Sequence, residues 1–323
     1  MISRLLFAGE ALVDQVMTVP ALPERGGDIL ATSASFQVGG GFNIMAAAAR
    51  QGLPVVYAGG HGTGQWGDLV RAALGDEAIE TLREPDPDRD TGFDVALVED
   101  NGERTFITML GAETPGTWSE VQPGSADAVY VSGYGLAPEG TGAVLGAWAA
   151  ALPGDIPLFI DPGPLVADIP AAVLDPVLAR CDWWSCNQRE ATLLTGTTDP
   201  AEAAGLLLTR TSRANIIVRS GGSGCVLALR GGELTTIPAP RVNAVDTTGA
   251  GDAHSGVFLA GLAEGLSPQE AARRANAAAA LAVTRPGPAT CPTRPELDAW
   301  LATHDWAYDT GATGSLGAGS DRR

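Results

Sequence analysis

The chain has 323 residues, enough for one large α/β domain or for two small domains. Its formal net charge is −18, which argues against nucleic acid or an anionic membrane as a partner, because both attract a basic surface. All 20 basic residues are Arg, so the sequence excludes sites that need a lysine amine: the Walker-type phosphate loop, Schiff-base chemistry and the Ser-Lys hydrolases.

The sequence predicts neither a membrane segment nor a zinc site. No apolar run approaches the roughly 20 residues of a membrane helix, and the N-terminus does not read as a signal peptide. We therefore expect a cytoplasmic protein with no membrane partner. The four cysteines are scattered without a Cys-x-x-Cys pair, which favours buried reduced thiols over metal ligands.

The first two predicted strands are residues 5–8 and 53–58, and a glycine-rich turn lies between them. Here Gly39-Gly40-Gly41 precedes Asn43 and a predicted Ala-rich helix at residues 44–51. Glycines let the backbone approach a ligand closely, and the Asn43 amide offers both a donor and an acceptor to a pair of hydroxyl groups. The run is therefore a candidate ligand-binding turn.

A second glycine run follows the second predicted strand and precedes a helix. Gly62, Gly64 and Gly67 have the spacing of the dinucleotide-binding fingerprint. This pattern supports an alternative of another class, an NAD-dependent oxidoreductase that uses these three glycines.

Two strand-like runs, residues 93–99 and 104–110, flank an Asn-Gly pair at residues 101 and 102. Asn-Gly between such runs is a strong hairpin signal. Together with residues 16–37, the two runs predict a small sheet that projects from the main domain.

Short apolar runs alternate with helical segments from residue 128 onward, and this alternation predicts a doubly wound, mostly parallel sheet with helices on both faces. The predicted strands are residues 128–132, 157–161, 183–186, 216–219 and 226–229. Ligands collect at the carboxyl ends of such strands. Asn187 and Glu190 follow one strand with the spacing of a helix capping box, and the run from Arg219 to Gly224 follows the next as either a tight hairpin or a ligand loop.

The most informative stretch runs from Asp246 through Gly249, Ala250 and Gly251 to Asp252, just before a predicted helix at residues 253–264. Its small residues and the helix start form an anion-binding site. A carboxylate there would compete with the anion unless it accepts the proton of an attacking hydroxyl. The alternative is a simple capped turn, with Asp252 as a first-turn acid that the helix dipole favours. For Asp252 as the base, we expect the helix dipole to lower its pKa.

The stretch around Asp252 resembles the second signature of the ribokinase-like (PfkB) carbohydrate kinases, and Gly-Gly-Gly-Phe-Asn resembles their first. The resemblance extends from about residue 5 to about residue 301. It implies phosphoryl transfer from MgATP to an alcohol of a sugar or nucleoside, with Asp252 as base and the backbone of Gly249, Ala250 and Gly251 stabilising the transferred group. It also implies that the small sheet is a lid over the sugar that pairs with a second subunit.

The resemblance assigns further residues to three groups. Acceptor binding falls to Asp14, Gly39, Gly40, Gly41 and Asn43. Nucleotide binding falls to Asn187, Glu190, Arg219, Ser220, Gly221, Gly224 and Asn276, with Asn187 and Glu190 holding Mg²⁺ through water. A monovalent cation such as K⁺ would be held by Asp246, Thr248, Ala282, Arg285 and Gly287.

The domain assignment and the substrate complete the expectations. We expect a kinase domain over residues 1–309, a lid from about 15–37 and 91–112, and a disordered tail over 310–323. Leu12 stands where ribokinases carry Asn, so the acceptor stays open among ribose, fructose and similar sugars. A nucleoside kinase and a phosphosugar kinase are the alternatives within the family.

Overall fold

Two β-sheets form the framework of the protein. The structure is a computed structural model that describes residues 2–99, 103–114, 116–232 and 234–304. The described strands are β1 (Arg4–Ala8), β2 (Ala11–Val19), β3 (Ser33–Gly40), β4 (Val55–Tyr57), β5 (Glu80–Thr81), β6 (Phe93–Glu99), β7 (Arg104–Met109), β8 (Asp127–Ser132), β9 (Leu158–Asp161), β10 (Trp183–Asn187), β11 (Asn215–Arg219), β12 (Cys225–Ala228) and β13 (Leu234–Ile237). The described helices are α1 (Phe42–Arg50), α2 (Gln65–Asp76), α3 (Gly133–Leu136), α4 (Thr141–Ala150), α5 (Ala171–Arg180), α6 (Gln188–Thr195), α7 (Pro200–Arg210), α8 (Ala250–Ala263), α9 (Pro268–Ala282) and α10 (Arg294–Thr303).

The larger sheet has the strand order β13-β12-β11-β10-β9-β8-β1-β4-β5 in the described part of the chain. Its strands are parallel from β5 to β11, which confirms the predicted doubly wound, mostly parallel architecture. The last two strands are antiparallel. The link between β11 and β12 is too short for a crossover, so it forms a tight hairpin, and its role as a ligand loop stays a prediction.

Both faces of the larger sheet are buried, because alternate side chains of each strand enter different cores. Leu5 and Phe7 of β1 join the core that contains residues of α1, α8 and α9, whereas Leu6 and Ala8 join the core with α4, α5 and α7. Within the described residues, no helix has the length and apolar content needed to cross a bilayer.

The smaller sheet, which we call the lid, has the order β3-β2-β6-β7. Strand β2 pairs with β3 in antiparallel and with β6 in parallel orientation, and β6 and β7 are antiparallel. The lid strands reach further than predicted, since β2 begins at Ala11 and β3 continues to Gly40. The predicted Asn-Gly turn and the predicted tail at residues 310–323 lie outside the described residues.

Candidate active site

The starts of α1 and α8 meet beside the lid. Helix α1 begins at Phe42 and α8 at Ala250, two and three residues earlier than predicted, so Asn43 and Asp252 lie in the first helical turns. Nδ2 of Asn43 donates to Oδ2 of Asp252 over 3.0 Å. Oδ1 of Asn43 is buried and, among the described residues, has no donor.

The N-terminus of α8 is shaped for close approach of a ligand. Gly249 has φ +70°, and a Cβ there would lie 2.0 Å from the carbonyl oxygen of Pro288, so only glycine fits. Gly249 is the N-cap and makes no side-chain cap hydrogen bond. The Ala250 N–H donates to the Thr247 carbonyl over 3.3 Å. Among the described residues the N–H groups of Gly251 and Asp252 have no acceptor, so they are available, together with the positive dipole end of α8, for an anion.

The electrostatic environment of Asp252 differs from the sequence-based expectation. Burial raises its pKa to about 6, and the charge of Asp161 acts in the same direction, whereas the Asn43 hydrogen bond and Arg219 lower it. The expectation of a lowered pKa was therefore wrong, because burial takes the carboxylate out of water and raises its pKa. A carboxylate with this pKa is ionised at neutral pH and is more basic than an ordinary Asp.

Arg219 lies beneath the first turn of α8. Its Nη1 donates to Oδ2 of Asp161 over 2.7 Å, and also to the hydroxyls of Ser185 (2.7 Å) and Ser255 (3.0 Å). A Cβ on Gly251 would lie 3.5 Å from its Cζ. The side chain therefore extends from the end of β11 under the helix start. Sequence analysis did not assign Asp161, Ser185 and Ser255 to the site, although Asp161 ends a predicted strand.

Asn187 and Glu190 form the capping box that their spacing predicted. The Asn187 backbone N–H and Nδ2 each donate to a Glu190 carboxylate oxygen over 2.7 Å, and the Glu190 N–H donates to Oδ1 of Asn187 over 2.9 Å. Burial raises the pKa of Glu190 to about 7, with a further contribution from Asp161. Asn187 is the register partner of Arg219, so the capping box lies beside the site at the neighbouring strand end.

The loop from Ser220 to Gly224 joins β11 to β12 through a 3-10 turn at Gly221–Ser223. Oγ of Ser220 is buried and has no partner among the described residues. Asn276 is also buried, and its Nδ2 donates to the carbonyls of Ile237 (2.9 Å) and Pro238 (3.3 Å). This amide therefore holds α9 to the end of β13, and its contact with adenine stays a prediction.

The predicted acceptor residues gather at the lid end of α1. A Cβ on Gly39 would lie 2.1 Å from Oδ2 of Asp14, so the β3 backbone lies directly against that carboxyl group. The Gly41 N–H donates to the carbonyl of Glu10 over 2.8 Å, and Gly40, at the end of β3, has φ +60°. These contacts bring Asp14 and the three glycines together beside Asn43.

Two acids in this region were missed by sequence analysis. Asp94 is the register partner of Asp14, and burial raises the pKa of Asp14 to about 8 and that of Asp94 to about 6. Glu10 is buried, accepts from Oγ of Ser132 over 3.0 Å, and has a pKa raised by burial to about 8. The sequence did contain a signal for Asp94, because it is an acid inside a predicted strand that is otherwise mostly apolar.

The residues assigned to a monovalent cation are already hydrogen-bonded. Oδ1 of Asp246 accepts from Arg104 (2.6 Å) and from the N–H (2.9 Å) and hydroxyl (2.7 Å) of Thr248, and Oδ2 accepts from the Gly287 N–H (3.0 Å). Burial raises the pKa of Asp246, but the hydrogen bonds from Thr248 and Gly287 and the charge of Arg104 outweigh it and hold this pKa below its usual value.

Three carbonyls of the predicted cation site, those of Ala282, Arg285 and Gly287, lie at the end of α9 and in the turn that follows it. The Ala282 carbonyl accepts from the Arg285 N–H (3.1 Å) and from Oγ1 of Thr290 (2.9 Å). Arg285 itself ion-pairs with Glu296 over 3.2 Å. The turn is therefore closed by its own hydrogen bonds, and the bound cation stays a prediction.

The hydrogen bonds in the turn that contains Gly62, Gly64 and Gly67 argue against the dinucleotide-binding alternative. Asp90 accepts from the backbone N–H groups of Trp66 (3.1 Å) and Gly67 (2.7 Å), where a dinucleotide phosphate would bind. The Gly62 N–H donates to Oγ1 of Thr91 over 2.9 Å, and Gly64 is the N-cap of α2. The donors of this turn are therefore used within the protein.

The doubly wound sheet, the lid, and the acid at the start of α8 are the features of an α/β protein with a candidate ligand site at the strand ends. The pfkB family carbohydrate kinase pattern matches residues 3–295, and the chain belongs to this family of phosphotransferases. This membership, with the Asp90 contacts, also argues against the oxidoreductase alternative.

Relatives and solved structures agree with this membership. The uncharacterized sugar kinase YegV of Escherichia coli (strain K12) is 34% identical over 313 residues, which cover 90% of this chain and 92% of the relative. The Arabidopsis thaliana ribokinase complexed with ribose and ATP has a TM-score of 0.75 at 24% identity, covering 93% of this chain and 99% of that one. A putative ribokinase II from E. coli in complex with ATP and Mg²⁺ has a TM-score of 0.77 at 22% identity, covering 94% and 100%.

Proposed function

We propose that this protein is an ATP-dependent sugar kinase that transfers the γ-phosphoryl group of MgATP to a hydroxyl of a small sugar such as ribose or fructose. The observation that carries the proposal is the position of Asp252, at the uncapped start of α8 and hydrogen-bonded to Asn43. This arrangement sets a proton acceptor between an anion-binding helix start and a group of hydroxyl-binding side chains.

Asp14, Asn43 and the backbone of Gly39, Gly40 and Gly41 orient the acceptor. Carboxylate and amide oxygens accept hydrogen bonds from sugar hydroxyls, and the close approach of β3 to Asp14 brings backbone groups to the same place. Asp252 takes the proton of the attacking hydroxyl. Because the transition state of phosphoryl transfer is loose, orientation of the hydroxyl and late proton removal suffice.

The nucleotide side of the site is formed by the start of α8 and by the strand ends of β10 and β11. The backbone at Gly249, Ala250 and Gly251 stabilises charge on the transferring group, and the Arg219 guanidinium beneath Gly251 adds positive potential. The exposed Gly221 and the unpartnered Ser220 hydroxyl fit a loop against which a nucleotide lies. Mg²⁺ would neutralise phosphate charge, and Asn187 and Glu190 are proposed to hold it through water. The E. coli ribokinase II complex with ATP and Mg²⁺ supports this cofactor assignment.

The lid extends the proposal to assembly. Strand β7 exposes Phe106, Ile107 and Met109, with 53%, 65% and 63% of their surface accessible. Exposed apolar side chains on an edge strand favour pairing with a second copy, so we propose a homodimer formed through the lid. The kinase domain limits, the disordered tail and the cytoplasmic location stay predictions.

A coupled ADP-release assay tests the proposed reaction. We expect sugar-dependent ADP release with MgATP on a panel of pentoses, hexoses, ketoses, nucleosides and phosphosugars. In Asp252→Asn, kcat should fall by about 10²–10⁴-fold, the usual contribution of a general base, with ATP binding retained in a thermal-shift assay. Turnover near that of the unmodified protein would remove Asp252 from the role of base. Turnover on a nucleoside or a phosphosugar alone would favour the alternatives within the family.

A further inference from the structure

A second carboxyl group lies beside Asp14 on the acceptor side of the lid. Strands β2 and β6 pair in parallel with Asp14 opposite Asp94, so both side chains leave the same face of the sheet. Residues opposite each other on neighbouring strands have adjacent side chains, so the two carboxyl groups lie side by side. Among the residues that the structure describes, neither acid forms an ion pair with an arginine.

Asp94 has a buried oxygen that is available to a ligand. Only 9% of its surface is exposed, and its Oδ1 has no hydrogen-bond donor in the described part of the chain. A buried acceptor without a donor is costly, and such groups are uncommon in folded proteins. A donor supplied by a bound molecule would remove this cost.

Asn43 provides an independent observation of the same kind. It is 6% exposed, its Nδ2 is committed to Asp252, and its Oδ1 is also without a donor. Unsatisfied acceptors therefore lie on the lid and on α1, on two elements that border the same acceptor region. The expected ligand is one that brings several hydrogen-bond donors.

Two arginines near the lid are engaged elsewhere, and a third, Arg25, is exposed on the β2–β3 connection. Arg104 donates to Asp246, and Arg89 pairs with Asp86 over 2.8 Å. The charges that face Asp14 come instead from Asp94 and Asp252. An acceptor that carries a phosphate or a carboxylate next to Asp14 would meet the like charges of these two carboxylates.

We propose that Asp94 is a second acceptor-binding residue, and that Asp14 and Asp94 together select an uncharged acceptor with adjacent hydroxyl groups over sugar phosphates and sugar acids. This inference rests on the proposed kinase function and narrows its substrate class. Asp94 is ionised at neutral pH and accepts a hydrogen bond from one hydroxyl, and Asp14, whose pKa burial raises to about 8, offers an oxygen to the neighbouring hydroxyl, whereas an anionic substituent is repelled by Asp94.

The test compares Asp94→Asn with the unmodified protein in the ADP-release assay. The amide keeps the shape and removes the charge, so KM for the best neutral sugar should rise at least about tenfold, as expected for the loss of a charged hydrogen bond, with KM for MgATP unchanged. Asp68→Asn is the matched control, since it removes an exposed carboxylate of α2 that pairs with Arg71. It should leave both KM values unchanged.

A second measurement needs no variant. The kcat/KM of the unmodified protein is measured for each neutral sugar, for the phosphate of that sugar and for its aldonic acid. The neutral sugar should have the highest value. An unchanged sugar KM in Asp94→Asn, or a charged compound as the best acceptor, would overturn the inference while leaving a kinase. Absence of ADP release on every acceptor would instead overturn the proposed kinase function, and this inference with it.

Discussion

Asn43 and Asp252 are 209 residues apart in the chain, yet Nδ2 of Asn43 donates to Oδ2 of Asp252 over 3.0 Å. The bond connects the first turn of α1, where the acceptor is proposed to bind, with the first turn of α8, where the phosphoryl group is proposed to be transferred. It also stabilises the ionised form of Asp252, because an N–H donor favours the carboxylate.

The first prediction concerns the pH dependence of this pair. Activity should fall as the pH drops through about 6, where Asp252 takes up a proton. Asn43→Ala removes a bond that lowers the pKa of Asp252, so the acid limb of the kcat profile should move to higher pH. Gln51→Ala, which changes another amide of the α1 region that bonds to Pro292 instead, should leave the limb in place. An unshifted limb in Asn43→Ala would show that another group controls it.

The second prediction separates stability from catalysis at Arg219. Arg219→Thr leaves Asp161 without its 2.7 Å partner and should lower the free energy of unfolding by about 3–5 kcal/mol, as for a broken buried ion pair. The double variant Arg219→Thr/Asp161→Asn should recover much of that stability in urea unfolding. If the charge under Gly251 assists transfer, kcat stays low in both variants; recovery of kcat in the double variant would make Arg219 purely structural.

The third prediction is a pH dependence of stability that arises from Glu10. Burial raises its pKa in the folded state to about 8 from an ordinary 4.5, so the folded protein holds this proton more tightly than the unfolded chain. Its contribution is present below about pH 4.5 and is lost as the pH rises through about 8. Glu10→Gln should therefore flatten the decline in unfolding free energy across this range by a few kcal/mol, since each pKa unit corresponds to about 1.4 kcal/mol. Parallel curves for the two proteins would contradict the assignment.

The fourth prediction concerns monovalent cations. Oδ1 of Asp246 accepts three hydrogen bonds, one of them from the positively charged Arg104, and Oδ2 accepts one. The guanidinium charge next to this carboxylate disfavours a second cation there. We therefore expect nearly equal turnover in potassium and in choline buffers. Arg104→Ala frees one position and should create a dependence on potassium, whereas the control Arg89→Ala should not. Strong activation of the unmodified protein by potassium would contradict this prediction, because it would mean that the ion displaces Arg104 from Asp246.

The fifth prediction tests the proposed lid interface. Ile107→Glu places a charge on the exposed apolar surface of β7 and should convert a dimer into monomers in sedimentation velocity. The control Leu206→Glu changes an α7 residue that is also exposed, at 40%, and should leave the dimer intact. A monomeric unmodified protein at micromolar concentration would contradict the proposal.

Much of the fold was predictable because the pattern of apolar residues reflects local burial. The continuous apolar runs of β1, β8 and β11 indicated strands covered on both faces, and the hairpin signal indicated the lid strands β6 and β7. Helix starts were less certain: α8 begins at Ala250 because Gly249 turns the chain against Pro288, a contact between distant segments. Short motifs also placed Asn43 and Asp252 in one candidate site.

The sequence by itself determined the sheet type, the family resemblance and the residue types of the site, since these depend on neighbours along the chain. Only the tertiary structure decided that Asp94 lies beside Asp14, that Arg219 extends under α8, and that Arg104 pairs with Asp246. It also reversed the predicted direction of the Asp252 pKa shift. The physical reason is that desolvation and charge–charge interactions depend on distances in space, and these are set by packing between segments far apart in the chain.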